Sequence, residues 1–308
     1  MKQLIEQTEG IIKRLYLIKK SRYGGSQVFS RSAFQSEQIS INLSHGYLLK
    51  NYIIILAAAL RRIRVTREDL SVLLFMMSTP LFYLLNFKGV IKTPIGHLLV
   101  NNRDALRSFM YGFFKTHFFY MRSLGTLLSA NSYYPVVVDV GANIGDFTLA
   151  MTTHAGKIVA VEPGEKSFRA LKANIQINHA NNVLLLRAAA HEKEEEVFLQ
   201  GNSSDMYVTN VKKGQSTKGM PLEIITRKFG VESIDILKID VQGHEMSALL
   251  GTLDLLQDKL VKLLIIEVHL KRHVSVKDIL SLVEAHNYCL IHKDTYLFDQ
   301  LHLYFMPT

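Results

Sequence analysis

The sequence predicts a doubly wound α/β sheet behind a basic, mainly helical N-terminal extension. Three observations predict it. Short β-branched runs recur between Val136 and Val268 with helical periodicity between them, the first run ends in a glycine-spaced turn, and the charge is divided unevenly along the chain. Of 308 residues, 48% are apolar and 20% charged, a globular composition that excludes disorder over most of the length and leaves room for one large domain with an attachment or for two small domains. Cys289 is the only cysteine, so an internal disulfide is impossible, and no Cys/His cluster has zinc-ligand spacing. A reducing, cytoplasmic setting without structural zinc is expected. The opening MKQLIEQTEGIIKRLYLIKK scatters charges through its apolar positions and lacks a small-residue cleavage site, unlike a signal peptide.

The net charge of +9 is concentrated at one end. Residues 1–130 carry 18 Lys/Arg against 6 Asp/Glu, while residues 131–308 carry 18 against 21, giving +12 and −3. Two segments of opposite character, 1–125 and 126–308, suggest two jobs.

In the first segment, GYLLKNYIIILAAAL over 46–60 runs into Arg61, Arg62, Arg64 and Arg67, and Thr66 with Glu68 and Asp69 opens a second apolar run to Phe87. Ser78, Thr79 and Pro80 interrupt that run. A helical pair packed against the second segment or a twin subunit is the expected arrangement. The alternative is a hairpin lying on a membrane surface through residues 46–87, with its arginines on anionic headgroups; a true span is the third option. Residues 88–101 read as two short strands joined at Pro94–Gly96, followed by a helical stretch to about Leu128.

The second segment alternates. Val136–Val138 with Asp139 is a strand of the kind buried on both faces of a parallel sheet, and it ends in Gly141-Ala142-Asn143-Ile144-Gly145 before a helix near Asp146. KIVAV over 157–161 is the next strand, closing on Glu162-Pro163, and Phe168, Leu171 and Ile175 mark one helix face. Strands follow at 183–186, 234–241 and 263–268, with a β-rich insertion at about 197–221. Ser275 and Asp278 open a last helix to Ala285, and strands at 288–292 and 301–306 close the chain as an antiparallel edge.

Ligands of such sheets sit outside the carboxyl ends of the strands, which makes the polar residues there the candidates: Asp139, Glu162, the backbone at Ala188 and Ala189, Asp240, and Glu267 with His269. Glycines at 141 and 145 allow close approach of backbone to a guest. Position 143 is Asn, so the dinucleotide fingerprint is absent, as is the Walker phosphate loop. Glu162 follows Asp139 by 23 residues, one helix and one strand later, where an acid can accept both hydroxyls of a ribose.

VVVDVGANIGDFTLA, IVAVEPGEKSFRALKANIQIN, SIDILKIDVQGHEMSALLG and LLIIEVH together resemble the FkbM family of S-adenosylmethionine-dependent methyltransferases over roughly residues 135–292. The resemblance implies a Rossmann-like class I methyltransferase sheet of order 3-2-1-4-5-7-6 and methyl transfer to oxygen, often on a sugar or polyketide hydroxyl. It implies that Asp139, Gly141, Asn143 and Gly145 cradle the amino-acid end of S-adenosyl-L-methionine, that Glu162 holds its ribose and that Ala188 and Ala189 flank adenine. Gln242 stands where the family usually has Glu.

Methyl transfer to an alcohol needs alignment and a base. Asp240, sharing a strand face with Lys238, is the candidate base, and Glu267 and His269 are candidates to orient the acceptor. No metal is assigned, although Asp240, Glu267 and His269 together could hold a divalent ion. The expected partner is a small-molecule or glycan acceptor, with a homo-oligomer also possible. Two rival functions are an RNA methyltransferase gripping phosphates with the basic segment and a non-catalytic cofactor-binding scaffold docked to a membrane or partner. Against the RNA reading, no N/D-P-P-Y loop occurs and Cys289 does not follow a proline.

Overall fold

The computed structural model describes residues 87–100, 112–128, 132–201, 206–209, 212–272, 274–296 and 300–308, with isolated positions 77, 82, 106 and 108. The proposed membrane contact at 46–87 falls almost wholly outside these residues. Among the described residues no helix is long and apolar enough to cross a membrane.

The chain order begins with a hairpin, β1 (Gly89–Thr93) and β2 (Gly96–Val100), then a π-helical turn (Thr116–Met121) running into α1 (Arg122–Leu127). The alternating part follows: β3 (Tyr134–Val140), α2 (Asp146–Met151), β4 (Ala155–Val161), α3 (Glu165–Ile177) and β5 (Val183–Leu186). A smaller sheet comprises β6 (Ala189–Ala190), β7 (Glu195–Gln200), β8 (Tyr207–Thr209) and β9 (Gln215–Met220), and α4 (Leu222–Lys228) leads out of it. The chain then continues through β10 (Ile234–Ile239), α5 (Glu245–Leu250), α6 (Leu253–Gln257), β11 (Val261–His269), α7 (Val276–Ala285), β12 (Tyr288–Tyr296) and β13 (Gln300–Pro307).

The main sheet among these residues runs β5-β4-β3-β10-β11-β13-β12. Counted by its own strands, this is 3-2-1-4-5-7-6. Pairings from β5 to β11 are parallel, and β13 enters antiparallel between β11 and β12. A terminal hairpin can do this because its tight return needs no crossover helix.

Strand alternation separates two chemistries. Val138, Val140, Leu237 and Ile239 face one apolar layer with α4, α5 and α7. Val137, Ile236 and Ile265 face the other, together with Tyr120, Phe147 and Tyr304. On that second face, register pairs Lys238 with Asp139 and Glu267 with His302, so a charged row lies at the carboxyl ends of the strands. The N-terminal side is built into the same core. Leu98, Phe113, Phe114 and Phe118 pack with Leu149 and Leu171, and Asn174 of α3 and Asn178, which caps its C-terminus, hydrogen-bond the backbone of Leu99 and His97 respectively. A boundary drawn at residue 125 therefore passes through α1, and the segment before it forms one wall of the site.

Ser275 caps α7 as its spacing predicts, accepting from the Asp278 amide at 3.2 Å. The helix α4 carries no expectation from the sequence. It is only seven residues long, too short for a clear periodic stripe, and it is held by burial of Leu222 and Ile225.

Candidate active site

The first half of the site is the turn after β3. Gly141 has φ +79°, and a Cβ there would stand 1.8 Å from the carbonyl oxygen of Asp240, so only glycine lets the tips of β3 and β10 meet. Asn143 follows at φ +50°, and its buried Oδ1 has no hydrogen-bond partner. Glu162, at the tip of β4, binds this turn to the next: its Oε2 accepts from the Asn143 amide at 2.9 Å and its Oε1 from the Gly164 amide at 2.8 Å. Burial pushes the Glu162 carboxyl up to about pKa 7, although the two amides pull the other way.

Asp139 lies underneath. It is fully buried, with Oδ2 accepting from Thr148 Oγ1 at 2.6 Å and Oδ1 meeting Lys238 Nζ at 3.0 Å. Both oxygens are engaged within the protein, which makes Asp139 a support of the turn. Ala189 is buried in β6 and paired with Gly219, and Ala188 is buried beside it.

The second half is a charged cluster at the ends of β10 and β11. Lys115 bridges Asp240 Oδ2 at 2.8 Å and Glu267 Oε2 at 2.7 Å. Tyr120 donates to Glu267 Oε2 at 2.6 Å, and its ring stacks on His302 with centroids 4.6 Å apart. His269 Nδ1 lies 2.7 Å from Glu245 Oε1, which also accepts from the Gly243 amide at 2.9 Å. The π-turn explains how one helix supplies two of these groups. With i to i+5 bonding, residues five apart share a face, so Lys115, Thr116 and Tyr120 all turn to the sheet. Thr116 completes the contact by donating to Asp146 Oδ2 at 2.7 Å.

The ionisation follows from this packing. Burial would lower Lys115, but Asp240 and Glu267 hold its ammonium well above the ordinary lysine value. Burial would raise Glu267, yet Lys115 with His269 and His302 keeps it well below the usual carboxylate range. Burial and the Glu267 charge together hold the Tyr120 hydroxyl protonated. Burial works against a charged His269, but Glu245 and Glu267 raise its pKa to about 10. Asp240 Oδ1, Glu267 Oε1 and His269 Nε2 are buried without hydrogen-bond partners. Each such atom costs roughly 1–3 kcal/mol unless a guest satisfies it.

The structure thus brings Asp240, Glu267 and His269 together. It adds Lys115 and Tyr120, which sequence reasoning missed, and Glu245, which also stands in the first turn of α5. A signal was present for Lys115: it is the lone lysine in FMYGFFKTHFFYM, and a lysine that an aromatic run carries into a core needs a charged partner there.

Residues 139–290 match the model of the methyltransferase FkbM domain. The chain carries an FkbM methyltransferase domain. It is an S-adenosylmethionine-dependent methyltransferase on an α/β fold with a mixed central sheet. No curated relative matches the chain in sequence. Among solved structures, it is similar to TrmK of M. capricolum in complex with S-adenosyl-homocysteine, at 14% identity over 61% of this chain and 67% of that one, TM-score 0.39. A methyltransferase from Aquifex aeolicus is 13% identical over 63% and 92%, TM-score 0.41. A putative RNA methyltransferase from Pyrococcus horikoshii is 13% identical over 65% and 85%, TM-score 0.39.

The FkbM turn fits its cofactor on its own chemistry. Asn143 Oδ1 is an unused acceptor suited to an ammonium or hydroxyl donor. The Glu162 oxygens each keep acceptor capacity beyond one amide, as a ribose diol requires.

Proposed function

We propose that this FkbM domain transfers a methyl group to a hydroxyl of a sugar, glycan or other small molecule. The observation that carries the reading is the buried cluster of Asp240, Glu267 and His269, in which three unpartnered acceptor or donor atoms lie at the strand ends next to the cofactor turn. S-adenosylmethionine, held by Gly141, Asn143, Gly145 and Glu162, supplies a methyl already activated by its sulfonium. The chain's own residues then position the other reactant, the main contribution to such a transfer.

Asp240 Oδ1 would accept the hydroxyl's hydrogen bond and then its proton, while the methyl–sulfur bond breaks, the C–O bond forms and S-adenosylhomocysteine leaves as the neutral thioether. Glu267 Oε1 and His269 Nε2 orient the same oxygen. Lys115 bridges the other oxygens of the two carboxylates and so leaves Asp240 Oδ1 and Glu267 Oε1 turned to the acceptor. Gln242, at φ +55° beside Asp240, is neutral and takes no part in proton transfer.

The test is incubation with deuteromethyl-labelled S-adenosylmethionine and panels of glycans, lipid-linked sugars and RNA fragments, followed by mass spectrometry. Label on a carbohydrate oxygen, lost in Asp240→Asn, supports the reading. Label on RNA alone overturns the acceptor class, and cofactor binding without transfer to any panel member supports a scaffold.

A further inference from the structure

We propose that Asp240, Glu267 and His269 form a site for one divalent cation of the Mn²⁺ or Zn²⁺ kind. The unpartnered atom of each side chain is the one that converges on its neighbours: Asp240 Oδ1, Glu267 Oε1 and His269 Nε2. His269 Nε2 lies 3.3 Å from Glu267 Oε1 and 3.7 Å from Asp240 Oδ1, and one ligand atom from each residue lies within 4.8 Å of the other two. Ligands bound about 2.0–2.3 Å from a shared ion stand roughly 3.0–4.5 Å apart. The observed spacing therefore admits an ion with little movement of the side chains.

The opposite atoms of the same groups are fixed by other residues. Lys115 holds Asp240 Oδ2 and Glu267 Oε2, and Tyr120 adds a second donor to Glu267 Oε2. Glu245 accepts from His269 Nδ1 and leaves Nε2 directed at the two carboxylates, where an ion would take the place of the Nε2 proton. A carboxylate behind an imidazole is the usual outer support of a metal-bound histidine. The three side chains are 9%, 0% and 6% exposed, so water does not serve as their general partner. Two carboxylate oxygens with one imidazole nitrogen suit Mn²⁺ or Zn²⁺ better than Ca²⁺, and three protein ligands leave coordination positions for a substrate oxygen.

The use of such an ion, to hold and acidify the acceptor hydroxyl, rests on the proposed methyl transfer; its binding does not. With the ion present, Asp240 would be a ligand and not the base, and the proton of the acidified hydroxyl would pass to bulk water. The competing arrangement is a protonated His269 standing between the two carboxylates in the ion's place.

The experiment is titration of the full chain, stripped with chelator, with Mn²⁺ alone, following free Mn²⁺ by electron paramagnetic resonance. One ion per chain is expected, with affinity reduced at least about tenfold in both Asp240→Asn and His269→Gln. If either variant fails to fold, Mn²⁺-soaked crystals of the unaltered chain must show an anomalous peak within about 2.5 Å of the three named atoms. Absence of binding at millimolar Mn²⁺, undiminished binding in both variants, or a His269 ring carrying protons on both nitrogens in the presence of Mn²⁺ overturns the site. Calorimetry with S-adenosylhomocysteine on the same sample reads the cofactor site separately. Nucleoside binding without Mn²⁺ binding removes the metal and leaves methyl transfer standing, with Asp240 as its base.

Discussion

Lys115 Nζ lies 2.7 Å from Glu267 Oε2, across a sequence separation of 152 residues. The contact joins the aromatic N-terminal stretch to the end of a central strand, and it neutralises one of two carboxylates that would otherwise repel each other in a buried place.

Replacement of Lys115 by Met removes the ammonium that bridges Asp240 and Glu267 and leaves two buried carboxylates with less compensation. The expected loss of folding stability is about 3–5 kcal/mol, because breaking a buried pair costs more than the pair contributes. Urea unfolding measures it, and a loss below about 1 kcal/mol would show that the bridge is solvent-relaxed.

Glu162 gives the stability curve a slope of defined sign. Its folded pKa, raised to about 7, lies above the ordinary carboxylate value of 4.5. The folded chain therefore binds this proton more tightly than the unfolded chain, and stability falls as pH rises from about 4.5 to about 7. The size is on the order of 3 kcal/mol. Urea midpoints of the unaltered chain and Glu162→Gln between pH 5 and pH 8 should diverge in slope, the variant lacking this component.

The same acid, in the proposed role of ribose ligand, should set cofactor affinity. An ionised carboxylate accepts both ribose hydroxyls, so S-adenosylhomocysteine binding should tighten between pH 6 and pH 8, and Glu162→Gln should bind at least roughly tenfold more weakly with a flatter profile. Isothermal titration calorimetry decides; equal affinity in the variant would place the ribose elsewhere.

Two glycines of the turn should differ in tolerance. In Gly141→Ala the new Cβ would meet the Asp240 carbonyl oxygen at 1.8 Å, a backbone atom that cannot swing away, so loss of folding or of more than about 3 kcal/mol is expected. In Gly145→Ala it would meet Leu171 Cδ1 at 2.7 Å, the flexible end of a side chain, and φ +96° adds strain of about 1–2 kcal/mol. A larger loss at 145 than at 141 in thermal unfolding would contradict the close approach of β3 and β10.

Tyr120→Phe removes the 2.6 Å bond to Glu267 and keeps the ring. A hydrogen bond to a charged group contributes about 1.5–3 kcal/mol, so that loss of stability is expected, together with a fall in kcat and an unchanged KM for S-adenosylmethionine. Steady-state kinetics at saturating acceptor separates the two.

Much of this molecule is legible before any coordinates. The alternation of β-branched runs with helical stripes gives the order of elements, and runs such as IVAV and LLIIEV read as strands buried in the sheet. Side-chain chemistry at their ends then marks Asp139, Glu162, Asp240, Glu267 and His269 as the residues to question. These are local properties, decided by period and by what a polar group does at a strand end. The partnerships are not local. That Asp139 binds Thr148 and Lys238, that a π-turn rotates Lys115 and Tyr120 to one face, and that Glu245 backs His269 depend on register and on the packing of segments far apart in sequence. The sequence determined which groups the sheet would present. Tertiary structure alone decided which charges meet, because a salt bridge requires ångström proximity that chain spacing does not encode.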